Sequence, residues 1–90
     1  MASVHFTANL RRHVACPDET VDGATVGDAL RAYFDLHPAV RSYVLDEQGA
    51  VRRHVAVFAN GAQIDDPRTL SDPVGPTSEI YVMQALSGGA

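Results

Sequence analysis

The sequence predicts an α+β fold, with one mixed sheet of four to five strands and one main helix packed on one of its faces. Three observations lead there. Residues 26–36 carry apolar side chains at helical spacing, whereas the segments near both ends of the chain alternate with period two. An Asn-Gly pair at Asn60-Gly61 joins two short apolar runs. A single amphipathic helix buries its stripe only by covering one face of a sheet.

Taken in order, residues 4–14 alternate, with Val4, Phe6, Ala8 and Leu10 on one side and His5, Thr7, Asn9 and Arg11 on the other. That pattern predicts a half-buried strand. Pro17 and Asp18 break it, and residues 19–21 predict a second short strand ahead of the turn signal Asp22-Gly23. The helix follows over residues 26–36. Val26, Ala29, Leu30, Tyr33, Phe34 and His37 form its stripe, Thr25 is its N-cap, and Asp28 meets the free N–H groups of its first turn. Pro38 ends it. Residues 41–45 and 52–59 read as strands around the turn-rich Asp46-Glu47-Gln48-Gly49. Asn60-Gly61 turns the chain into a return strand at residues 62–64. Pro67, Pro73 and Pro76 make residues 65–77 a loop with room for one helical turn. Residues 79–86 form the last strand, with Ile80 and Val82 facing one way and Tyr81 and Met83 the other.

At 90 residues the chain holds one domain, read as residues 1–86 followed by a Ser-Gly-Gly-Ala tail over residues 87–90. The apolar fraction, 46%, suffices for a core and argues against a disordered chain. The net charge is −4 and every basic side chain is Arg. Arg11-Arg12 and Arg52-Arg53 are basic pairs but not patches, so nucleic acid is not an expected partner. The single cysteine, Cys16, excludes an internal disulfide and fits a reducing compartment. No apolar run approaches the length of a membrane span, and the first residues lack the pattern of a secretory signal. The expectation is a cytoplasmic protein, monomeric when free, with no membrane partner.

The ordered set of Asp22-Gly23-Ala24-Thr25-Val26-Gly27-Asp28-Ala29-Leu30, the stretch from Val40-Arg41 through Asp46-Glu47-Gln48-Gly49 to Arg52-Arg53-His54-Val55, the hairpin Val57-Phe58-Ala59-Asn60-Gly61, and a last strand running into Gly88-Gly89 resembles the MoaD/ThiS family of ubiquitin-like sulfur carriers. The likeness spans nearly the whole chain. It is strongest to the branch with cysteine-synthesis carriers and molybdopterin-synthase small subunits. It implies the β-grasp, ubiquitin-like version of the fold and a non-enzymatic carrier with no cofactor of its own. A ubiquitin-activating-type adenylyltransferase and sulfurtransferase would use ATP to adenylate Gly89. A thiocarboxylate formed there would then donate sulfur to a C–S bond-forming synthase. Ser87, Gly88 and Gly89 would be the working tail. Lacking side chains at the two glycines, it can thread a narrow channel, and the four residues 87–90 reach roughly 13 Å.

Two features depart from the family. Ala90 follows the second glycine, so the reactive carboxyl is locked in a peptide bond; a JAMM-type metalloprotease or another peptidase would have to remove it. Gln84-Ala85-Leu86 stands where many members carry Pro. The competing readings are a molybdopterin-synthase small subunit, a ubiquitin-like protein modifier joined through Gly89, and an interaction module with an inert tail.

Strand alternation puts Phe58, Tyr81 and Met83 on the sheet face away from the helix, where an apolar patch would be a partner-docking surface. The remaining chemistry-bearing residues favour plainer roles. Cys16 reads as a packing residue before a persulfide relay. His5, His13, His37 and His54 lack metal-ligand spacing and read as surface or edge residues, so no metal site is expected. Asp46-Glu47 and Asp65-Asp66 read as solvated acids or local caps. No Ser/His/Asp set has the context of nucleophilic catalysis, so no residue is expected to be catalytic.

Overall fold

The computed structural model describes residues 1–12 and 14–84. His13, the end of the expected last strand and the whole expected tail, including Gly89 and Ala90, lie outside the described residues. The elements are β1 (Ala2–Phe6), α1 (Ala8–Arg11), β2 (Glu19–Val21), α2 (Val26–Leu36), α3 (Pro38–Val44), β3 (Val55–Ala59), β4 (Ala62–Gln63) and β5 (Glu79–Gln84). They build one mixed sheet in the order β2-β1-β5-β3-β4. β1 and β5 are parallel central neighbours, and the other pairs are antiparallel.

The amphipathic helix runs over Val26–Leu36, as its periodicity predicts, and buries Val26, Ala29, Leu30, Tyr33 and Phe34. The Thr25 hydroxyl accepts from the Asp28 N–H at 3.1 Å, satisfying one of the orphan donors of the first turn. Against this stripe lie Val4 and Phe6 of β1, Val57 of β3, and Ile80 and Val82 of β5, all buried. Leu30 is fully buried, so trimming it to Ala would cost about 2–5 kcal/mol, a large share of a small domain's stability. The Tyr33 phenol reaches past the core edge to donate to the Pro17 carbonyl at 2.7 Å, and burial pushes its ionisation well above the usual phenol range.

Two expected strands are helical. The segment expected as one strand over residues 4–14 extends only to Phe6, then turns into α1. Leu10 is buried there from the short helix α1, not because it continues the strand. Residues 41–45 belong to α3 and its C-cap rather than to a strand. Pro38 ends α2 but also opens α3 at its first turn, where a missing N–H costs nothing, and Val40 and Val44 point into the core one turn apart. The expected strand over 52–59 forms only from Val55, with Arg53 and His54 in a turn. The main helix therefore has two short companions.

The turn at Asn60-Gly61 has φ of 53° and 86°, the left-handed pair that a two-residue hairpin needs. Asn60 also clasps the start of β5: its Oδ1 accepts from the Glu79 N–H at 3.0 Å, and its Nδ2 donates to the Ser78 hydroxyl at 3.1 Å. Asp46 and Asp66 are local caps. Asp46 Oδ1 accepts from the N–H groups of Gln48 and Ala50. Asp66 accepts from the backbone of Arg68 and Thr69 and from the hydroxyls of Thr69 and Ser71, which hold its carboxyl well below the usual range. In the unfolded chain that carboxyl returns toward its ordinary value of 3.8, so its contribution is present above about pH 4 and is lost as the pH falls further. Thermal melts of Asp66→Ala are expected to lie below those of the parent protein near neutrality. The gap should narrow as the pH falls below about 4; a gap independent of pH would sink this account.

Candidate functional site

The sheet has one face covered by α2 and one open. Alternation along β5 buries Ile80 and Val82 under the helix and leaves Tyr81 and Met83 on the open face, 43% and 41% exposed. Antiparallel pairing sets Phe58 of β3 directly opposite Tyr81 and Ala56 opposite Met83, with Phe58 half-buried. Phe58, Tyr81 and Met83 thus share one face, the last two on the strand that leads in sequence toward Ser87, Gly88 and Gly89. Met83 lies six residues before Gly89 in sequence.

A polar cluster borders this patch. Parallel pairing puts His5 of β1 beside Tyr81, and the two rings stack with centroids 4.7 Å apart. The His5 Nδ1 lies 3.2 Å from an Asp18 carboxylate oxygen and its Nε2 lies 3.1 Å from Glu79. Arg11 donates to the other Asp18 oxygen at 2.7 Å. The hydrogen bond from His5, joined by the charge of Arg11, lowers the Asp18 carboxyl from its ordinary value. Because Asp18 is half exposed, these pairs fix the position of His5 more than they stabilise the fold.

No spacing in the sequence signals this cluster. Alternation places His5 on the exposed side of the first strand, but Asp18 arrives from a loop and Glu79 from the far end of the chain. His5 is three-quarters covered, and His37 at the end of α2 bonds Glu19 at 2.7 Å, so both are partly buried anchors rather than surface residues; His54 is exposed. Cys16 is buried in the core, and burial pushes its thiol up, which suits packing and opposes a nucleophilic relay. A groove on the opposite, helical side of the molecule is equally unsignalled in the sequence; Arg31, Arg41 and Arg68 line it from three segments.

No helix among the described residues is long and apolar enough to cross a membrane. No protein-family model matches the chain. The small archaeal modifier protein 1 of Haloferax volcanii is 37% identical over 70 residues, covering 77% of this chain and 76% of its own. A crystal structure of that organism's SAMP1 superposes with a TM-score of 0.77 at 31% identity, over 98% of both chains. The crystal structure of the Amycolatopsis orientalis BexX/CysO complex contains a chain that matches with a TM-score of 0.82 at 20% identity, over 99% of this chain and 100% of that one. The last is a likeness of fold; the first two carry sequence kinship as well. With the β-grasp sheet, the capped central helix and the Asn-Gly hairpin in place, the chain belongs to the MoaD/ThiS-type family of ubiquitin-like sulfur carriers and small modifiers.

Proposed function

We propose that the protein is a sulfur carrier whose reactive group is the carboxylate of Gly89, freed by hydrolysis of the Gly89–Ala90 bond. The observation that carries this reading is the Ser87-Gly88-Gly89 sequence following the central strand β5 of a ubiquitin-like fold. A Gly89 carboxylate oxygen attacks the α-phosphorus of ATP in the activating partner, and pyrophosphate leaves. A sulfur nucleophile at the oxidation level of sulfide then attacks the acyl carbon, and AMP departs with the bonding pair. The resulting thiocarboxylate is presented to a C–S bond-forming synthase. All the catalytic groups belong to the partners, and a peptidase, for which a JAMM-type metalloprotease is the leading class, supplies the first step. ATP-dependent activation sets this work in the cytoplasm. The intact mass of protein recovered from its native cell tests the proposal. The expected species ends at Gly89 and carries sulfur in place of one carboxyl oxygen. A population that keeps Ala90 and never contains sulfur would overturn it.

The kinship with a protein named as a modifier favours a second reading, in which a lysine amine of another protein takes the acyl group instead of sulfur. This chain has no lysine, so it offers no lysine to extend such a conjugate. High-mass adducts on a denaturing gel, without thiocarboxylate, would select this version.

In either reading the activating enzyme docks on the open face around Phe58, Tyr81 and Met83. Phe58→Asp and Met83→Asp are expected to weaken its affinity at least tenfold, because each buries a carboxylate at an apolar contact. Calorimetric titration of folded variants checks this; unchanged affinity would exclude the face.

A further inference from the structure

The helical side of the molecule carries a groove of about 550 Å³ that carrier chemistry does not use. Its floor includes Phe34 and Leu70, already buried, and its rim carries Arg31, Arg41 and Arg68. Three of the seven arginines of a chain with net charge −4 therefore meet at one depression, faced by a single lining acid, Asp35. Arg31 reaches Asp28 only at 3.7 Å, and the guanidinium groups of Arg41 and Arg68 have no carboxylate partner among the described residues. Such a concentration of positive charge, offset only by Asp28 beside Arg31 and by Asp35 in the lining, over an apolar floor fits a ligand that is itself anionic and partly apolar.

The shape narrows the choice. Gly27, Arg31, Phe34 and Pro38 line the groove along one side of α2 and its end. Eleven residues of helix rise about 16 Å, which matches an extended peptide of about five residues. A compact anion such as a phosphate would engage only part of that length. We propose that this groove binds an extended acidic segment of a partner protein, with carboxylates paired to Arg31, Arg41 and Arg68. Because it lies on the helix side, it stays accessible while the open sheet face is occupied, so one carrier domain holds two partners at once. The inference does not depend on whether Gly89 carries sulfur.

A phage-displayed library of random heptapeptides selected against the folded protein tests it. The expected survivors are rich in Asp and Glu around one or two apolar residues, and their synthetic versions bind less tightly as salt is raised. Each of Arg31→Ser, Arg41→Ser and Arg68→Ser should weaken binding roughly tenfold. Arg53→Ser, which is exposed and does not line the groove, and Phe58→Asp on the opposite face should leave it unchanged. The arginine substitutions alter exposed charges and should leave the melting temperature nearly as it was. Three outcomes overturn the proposal: no enriched sequences or none with acidic bias; binding that survives the triple arginine variant; or inorganic pyrophosphate binding more tightly than the selected peptides, which makes the groove a phosphate site.

Discussion

Protein ending at Gly89 is expected to be thiocarboxylated by its activating enzyme without any peptidase, protein ending at Gly88 not at all, and protein retaining Ala90 only after hydrolysis. The reason is where the electrophile forms. Adenylation needs a free carboxylate, and in the encoded sequence the Gly89 carbonyl carbon is an amide carbon bound to the nitrogen of Ala90. Removing Gly89 itself moves the carboxylate back by one residue, about 3.3 Å of reach. That displacement takes the reacting atom out of an active site where misplacement by about 1 Å can cost a hundredfold. Ala90→Pro adds a further arm. A tertiary amide without an N–H removes a donor that a peptidase would grip, so this variant should resist processing while its Gly89-terminated product remains unaffected. Intact mass after incubation with enzyme, ATP and a sulfur source reads every arm. If the chain ending at Ala90 gains sulfur while retaining Ala90, the masking idea fails.

Gly23→Ala is expected to destabilise the protein by about 3 kcal/mol, moving the denaturant midpoint with little change of slope. A Cβ at Gly23 would sit 2.5 Å from the Ala29 nitrogen and 2.8 Å from its Cα. Those are backbone atoms of α2, so no rotamer change relieves the contact. The helix start cannot easily retreat. The Val26 N–H donates to the Asp72 carbonyl and the Gly27 N–H to the Leu70 carbonyl, both at 2.9 Å, and the Val74 N–H donates to Ala24 at 2.9 Å. Moving the helix therefore strains several anchors at once. Adding Ala29→Gly removes only a side-chain contact at 3.1 Å and should not rescue the variant. Full rescue by that second change would show the backbone is not the obstacle.

The parts of the fold that local chemistry specifies were readable from the residues. The stripe of α2, the Thr25 cap, the Asn60-Gly61 turn and the facing of β5 each depend on nearby side chains alone. The misread parts depend on competition between local signals. Pro38 is both a stop for one helix and a start for the next, and Val40 and Val44 suit either a strand or one helical turn. Phe6 and Leu10 fit period two and spacing four alike, so only tertiary packing decides where β1 ends. The candidate site divides in the same way. The facing of Phe58, Tyr81 and Met83 follows from alternation. The His5, Asp18 and Glu79 cluster and the groove arginines come from distant segments, and no spacing rule joins Arg31 to Arg68. The Asp22-Gly23 pair was legible as a turn into the helix, but the closeness of Gly23 to Ala29 was not.

The parallel pairing of β1 with β5 has a mechanical consequence. The first and last strands lie side by side at the centre of the sheet and run the same way, so their outer ends point to opposite sides of the molecule. A pull applied between the N-terminus and the tail loads the β1–β5 ladder in shear, with its hydrogen bonds sharing the force, rather than peeling them apart one after another. A partner that tugs on the tail, or a machine that draws the chain in by that end, would meet the stiffest direction of the domain.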